Sequence, residues 1–201
     1  MFPALTPATR AIILANVAVF LLEQVAMRAI LLHFALWPPG PDSFFRPWQL
    51  VTYAFLHAGL MHIFFNMFAL YVFGPALEQY WGPRRYLVYY FVCVIAAGAT
   101  QIGVEHLAGS GGATIGASGG IFGILLAFAV LFPRVRLLLY FAIPVPAWLF
   151  VSGYAVLELF FGVTGTEAGV AHFAHLGGMV GGAIMMLYWR LGSGRGGWRA
   201  R

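Results

Sequence analysis

Gly112-Ala113-Thr114-Ile115-Gly116-Ala117-Ser118-Gly119-Gly120 leads into Ile121-Phe122-Gly123-Ile124-Leu125-Leu126, so a serine flanked by small residues stands where a polar linker turns into an apolar helix. Backbone N–H groups at a helix start have no intrahelical partners and carry the positive end of the helix dipole. A serine there is a candidate nucleophile. The competing reading is that Gly, Ala and Ser are small residues that let membrane helices approach, and the rest of the chain has to decide between the two.

Of 201 residues, 62% are hydrophobic, 17% aromatic and only 8% charged. Such a chain cannot surround a soluble core with a polar surface, and it reads as a multi-spanning membrane protein. The length gives room for about six or seven spans of ~20 residues with short loops, hence one domain over residues 1–201. The single Cys93 excludes an intrachain disulfide framework and a multi-cysteine metal site. The net charge of +5 comes from eleven arginines and no lysine. That balance raises nucleic acid as a partner, but the arginine positions point to membrane topology instead.

Six spans are expected: Ala11 to Leu32, Thr52 to Leu77, Tyr86 to Gly103, Ser118 to Phe132, Leu137 to Phe161 and Gly169 to Trp189. The fifth is expected to tolerate Pro144 and Pro146, because neighbours in a membrane bundle can satisfy the freed carbonyls. Residues 33–50, rich in proline and aromatics, read as an interfacial loop. An even number of spans puts both termini on one side. Arg10, Arg84, Arg85, Arg134, Arg136, Arg190, Arg195, Arg199 and Arg201 fall on that side, and only Arg28 and Arg46 on the other. The positive-inside rule then makes the lead 1–10 and the basic tail 190–201 cytoplasmic, with the loops at 33–50, 104–115 and 162–168 external. A bacterial inner membrane is the expected location.

Span four has only about fifteen residues between Ser118 and Pro133-Arg134. At ~1.5 Å per residue that is ~22 Å, short of a ~30 Å hydrocarbon core, so the helix begins inside the membrane. His175 stands fifteen residues before Arg190, at the same depth. Gly178 and Gly182 follow it on its own face, and Gly119 and Gly123 accompany the serine, so the two backbones can approach until hydroxyl and imidazole reach ~3 Å. In span two, His62 and Asn66 are four apart and share a face at the level of Ser118, whereas His57 does not share it. Together with the Ser118 N–H they form a candidate oxyanion hole. Interhelical hydrogen bonding is an equal reading of His62 and Asn66 alone.

At this point the chain resembles the rhomboid intramembrane serine proteases. The resemblance rests on His57, His62 and Asn66 in span two, Gly116-Ala117-Ser118-Gly119 opening span four, and Ala174-His175-Leu176-Gly177-Gly178 leading to Gly182 in span six. It implies a six-helix all-α bundle with a short, recessed fourth helix. It also implies Ser118 as nucleophile, His175 as general base and then acid, and His62, Asn66 and the Ser118 N–H as oxyanion hole. Gly116, Gly178, Gly182, Phe122, His57 and His172 are the supporting residues, and Asn16, Trp48 and Glu78 look structural. The implied activity is serine endopeptidase cleavage in or near membrane helices of other proteins, with no metal or cofactor and no nucleic acid.

Two departures stand out: Phe122 where the family often has tyrosine, and Trp48-Gln49 where it often has Trp-Arg. Phe122 can still stack on His175, while Gln49 loses a cation that could brace the loop. The acidic residues Glu23, Asp42, Glu78, Glu105, Glu158 and Glu167 read as peripheral. Glu158 is the only one that could orient His175, and a Ser-His dyad without it is the expectation, with His172 structural. Two alternatives stay open: a non-catalytic relative that binds or escorts membrane helices, and a haem or metal carrier using His172 and His175.

Overall fold

The structure, a computed structural model, describes residues 4–109, 112–139, 142–165 and 171–192. The expectations for Glu167 and for the basic tail from residue 193 onward lie outside the described residues. The order is α1 (Pro7–Phe34), α2 (Gln49–Thr52), a short 3-10 turn (Tyr53–Phe55), α3 (Leu60–Trp81), α4 (Pro83–Ala108), α5 (Ser118–Leu131), β1 (Arg136–Leu139), β2 (Ile143–Pro146), α6 (Ala147–Thr164) and α7 (His172–Gly192). α1, α3, α4 and α6 are each long and apolar enough to cross a membrane, and α5 is a shorter apolar helix of 14 residues.

Two expected span boundaries are wrong. The fifth span does not start at Leu137: Arg136–Leu139 and Ile143–Pro146 pair as antiparallel strands, Arg136 opposite Pro146 and Leu139 opposite Ile143, and α6 begins only at Ala147. Pro144 and Pro146 have no N–H to donate into a helix and fix φ, so the chain pairs as strands and turns helical just after the second proline. The second span does not start at Thr52. The Tyr53 carbonyl accepts from Leu56 and Gly116, and the His57 N–H is taken by the Glu23 carboxylate of α1 at 3.2 Å, so no helical bond joins residues 53 and 57. α3 therefore starts at Leu60, and His57 belongs to the loop ahead of it.

α4 lies at the centre, packed along both α5 and α7. Its inner face carries the buried Tyr86, Tyr89 and Tyr90. The Tyr89 hydroxyl donates to the Gly123 carbonyl at 2.8 Å, and that of Tyr53 donates to the Val94 carbonyl at the same distance. Buried hydroxyls need such partners, and these two fasten α4 to α5 and to the segment before α3. The outward faces are apolar and exposed, Leu21, Leu22 and Val25 on α1 and Val156, Phe160 and Val163 on α6 among them. Such faces suit lipid, where helices satisfy their own backbone.

The bundle has two chemically different ends. At one, the Glu78 carboxylate of α3 accepts from the Thr6 hydroxyl and from the Ala8 and Thr9 amides, which ties the end of α3 to the start of α1 and favours the helix dipole there. Trp81 meets Trp189 edge-on and Arg85 lies over the Trp189 ring at 5.9 Å. Arg84, Arg85 and Arg190 therefore gather at this end. Ser118 opens α5 at the other.

The expectation that the acidic residues are peripheral fails at three of them. Glu23, Glu78 and Glu158 are all buried, each held by N–H donors that compensate its loss of water.

Candidate active site

The segment before Ser118 is fixed from two sides. Thr114 and Leu36 exchange both backbone hydrogen bonds, at 2.9 and 3.0 Å, and the Gly116 N–H donates to the Tyr53 carbonyl at 2.9 Å. Gly116 has φ +126°, a conformation L side chains rarely adopt, and a Cβ there would sit 2.9 Å from the His62 Nε2. Only glycine lets the backbone pass this close to the imidazole. The Ile121 amide is the first to bond back into the helix, to Ala117, so the amides of Ser118 to Gly120 lie in the unpaired first turn.

α7 runs against α5 at glycine-to-glycine distance. A Cβ on Gly178 would collide with the Gly119 carbonyl oxygen, and one on Gly182 with the Tyr89 hydroxyl. At this separation the His175 Nε2 lies 2.7 Å from the Ser118 Oγ. The Phe122 ring stacks on the imidazole, centroids 4.2 Å apart and planes 6° from parallel. Ser118 is half-buried and His175 buried. The two residues matched by depth in the sequence thus meet across helices 57 positions apart.

This pair does not stand alone. The His175 Nδ1 donates to the Glu158 Oε2 at 2.8 Å, and the His172 Nδ1 donates to the same oxygen at 2.7 Å. Sequence reasoning singled out Glu158 but set it aside. The signal available was the Glu158 position near the outer end of α6 together with the i, i+3 spacing of His172 and His175. Three donor atoms of metal-binding type lie here within 4.8 Å of one another. Their present arrangement is that of two imidazoles donating to one carboxylate.

His62 is half-buried, and its Nδ1 accepts the Ala58 N–H at 3.2 Å. A neutral ring that accepts at Nδ1 carries its proton on Nε2, and Nε2 is the atom against Gly116. His62 is thus a donor beside the serine. Asn66 lies one turn deeper on the same face and spends one Nδ2 hydrogen on the His62 carbonyl at 2.9 Å. His57 meets the His62 ring edge-on at 4.9 Å. Burial, reinforced by the facing His62, pushes its imidazole down to about 4, and among the described residues neither ring nitrogen finds a hydrogen-bond partner. His57 is a neutral wall of the site.

The loop residues expected to be structural are so placed. The Trp48 indole donates to the His33 carbonyl at 2.9 Å. Gln49 is fully buried, donates to the Phe44 carbonyl at 2.9 Å and accepts from the amides of Trp37 and Arg46. It braces the loop with neutral hydrogen bonds where a cation was expected to be missed. Asn16 is buried, its amide donating to the Ile12 carbonyl.

Fold and site together define a helical membrane protein with a serine-histidine pair in its interior, at the start of the short apolar helix α5. Residues 45–191 match the family model of the Rhomboid domain, and the chain belongs to the rhomboid family. It is 32% identical over 95 residues to the rhomboid protease GlpG of Klebsiella pneumoniae, over 47% of this chain and 34% of that protein. It is 29% identical over 191 residues to the mitochondrial RHOMBOID-like protein 12 of Arabidopsis thaliana, covering 86% of this chain and 55% of the relative. To the mitochondrial Rhomboid protein 1 of Saccharomyces cerevisiae it is 32% identical over 149 residues, covering 70% and 41%. The chain spans between about a third and just over half the length of these relatives.

Proposed function

We propose that this protein is an intramembrane serine endopeptidase, built as one six-span domain from α1, α3, α4, α5, α6 and α7. The observation that carries the reading is the 2.7 Å approach of the Ser118 Oγ to the His175 Nε2. In the proposed reaction the His175 Nε2 takes the Ser118 proton while Oγ attacks the scissile carbonyl. The Ser118 N–H, the His62 Nε2–H and the Asn66 amide hold the developing oxyanion. His175 then passes its proton to the leaving amine, and a water activated by the same nitrogen releases the acyl-enzyme. The substrate is a membrane helix of another protein. Its carbonyl is reachable only where the helix unwinds, so small or helix-breaking residues near the cut are expected. No metal or cofactor enters the reaction.

The arginine-rich end is taken as cytoplasmic and the serine end as external, in a bacterial inner membrane. In a Cys93→Ala background, a thiol placed by Ser118→Cys should then react with impermeant reagents from the serine end and scarcely from the arginine end. The function is tested with purified protein in liposomes carrying a single-span reporter. Cleavage by the wild type, and none by Ser118→Ala or His175→Ala, is the expected result. A non-catalytic, helix-escorting relative would be indifferent to Ser118→Ala.

A further inference from the structure

α6 packs beside the site with most of its surface outward. Its buried residues are Ala147, Val151 and Glu158. Val151 and Glu158 are seven apart and share the inward face, so the one charged side chain of α6 is aimed into the bundle. A carboxylate only 4% exposed in apolar surroundings is retained at a cost unless hydrogen-bond donors meet it. Here both donors are imidazole Nδ1 atoms, and both reach the same oxygen, Oε2, at 2.7 and 2.8 Å.

The chemical consequence falls on His175. An acceptor at Nδ1 keeps the proton there and leaves the Nε2 lone pair facing the Ser118 hydroxyl, which is the tautomer a general base needs. The ring is then held on three sides, by Glu158 at Nδ1, by Ser118 at Nε2 and by Phe122 on its face. His172 has a different task. Among the described residues its Nε2 has no partner, and its polar link there is the bond to Glu158. Its ring stands nearly perpendicular to that of His175, at 86°. From there it pins a long, flexible carboxylate that would otherwise swing along the outer helix.

We infer that Glu158 is a positioning residue for the Ser118–His175 pair, completing a Ser118–His175–Glu158 relay whose carboxylate is locked by His172. The inference rests on the proposed hydrolase reading. When the Ser118 proton moves to Nε2, His175 becomes an imidazolium with protons on both nitrogens. Glu158 stays ionised and keeps its bond to Nδ1–H, so the charge formed in the step is met where it forms, and the Nε2 proton leaves with the amine. A carboxylate serving only to clamp α6 to α7 would be replaceable by a neutral acceptor of the same shape without loss of kcat.

The test compares wild type, Glu158→Gln, His172→Leu and His172→Gln as purified full-length protein, measuring reporter cleavage, Ser118-dependent fluorophosphonate labelling and thermal unfolding. Glu158→Gln keeps the shape and removes the charge, and its kcat should fall on the order of 10³-fold with KM unchanged and labelling slowed in parallel. His172→Leu should lose roughly tenfold in kcat, an order-of-magnitude figure for loss of an orienting bond. His172→Gln, which retains a donor, should recover most of it. A kcat in Glu158→Gln within about threefold of wild type, the wild type being active, would overturn the inference and leave the Ser-His reading standing. A wild type that neither cleaves nor labels at Ser118 removes that reading and the inference with it. Nitrogen NMR of histidine-labelled wild type needs no Glu158 variant to fold. His175 is expected as the Nδ1–H tautomer, and an Nε2–H signal contradicts the relay.

Discussion

Two buried glutamates accept hydrogen bonds from histidines, Glu158 from two and Glu23 from one, and they do opposite things. Glu158 accepts from the imidazoles of His172 and His175, so its charge is felt at a ring whose other nitrogen touches Ser118. Glu23 accepts from the backbone N–H of His57, and among the described residues the two ring nitrogens of His57 are without partners. One carboxylate addresses a side chain that can move a proton, and the other addresses backbone that cannot. A buried acid near a histidine is therefore informative only once the donating atom is known.

The sharpest way to break this contrast is to remove one histidine from each cluster. His175→Ala should take reporter cleavage to background, whereas His57→Phe, which replaces two unpartnered nitrogens with an apolar ring of similar size, should keep kcat within about tenfold and cost little stability. Equal losses in turnover assays would place His57 in the chemistry. Next in size is His62→Ala, expected to lower kcat by about 10²-fold with little change in KM, since in the proposed reaction its Nε2–H serves the oxyanion more than the ground state. An unchanged kcat would return His62 to packing. The carboxylates can be compared directly. Glu23→Gln still accepts the His57 amide and should change unfolding free energy by about 1 kcal/mol or less with kcat unaltered. Smallest is Phe122→Tyr, which adds a hydroxyl to a ring already stacked on His175 and should leave kcat within a factor of about three, given ~0.5–1.5 kcal/mol for the whole stack. A variant that fails to fold would show that the ring edge has no room.

What could be read from the sequence and what could not divides along the same line. The meeting of Ser118 and His175 was legible because helical rise converts residue number into depth, and glycine spacing converts it into approach. The level of His62, whose Nε2 lies against Gly116, was legible for the same reason. The start of α3 was not legible, because the bond that ends the preceding turn comes from Glu23 on another helix. The pairing of β1 with β2 was written in Pro144 and Pro146, whose lack of N–H counted for more than the tolerance of membrane helices for proline. Glu158 was visible as a residue but not as a contact. Its place near the outer end of the span could be read, yet nothing in the sequence gives the rotation of α6 about α7 that buries it and brings its carboxylate to two Nδ1 atoms.

The central claim is that Ser118 is a nucleophile made reactive by His175, and covalent labelling tests it without knowledge of the substrate. Purified protein treated with a fluorophosphonate should carry one adduct, located at Ser118 by peptide mapping. The adduct should be absent from Ser118→Ala and nearly absent from folded His175→Ala. Labelling of Ser118 at the wild-type rate in His175→Ala, or no labelling of a folded wild type, would contradict the account.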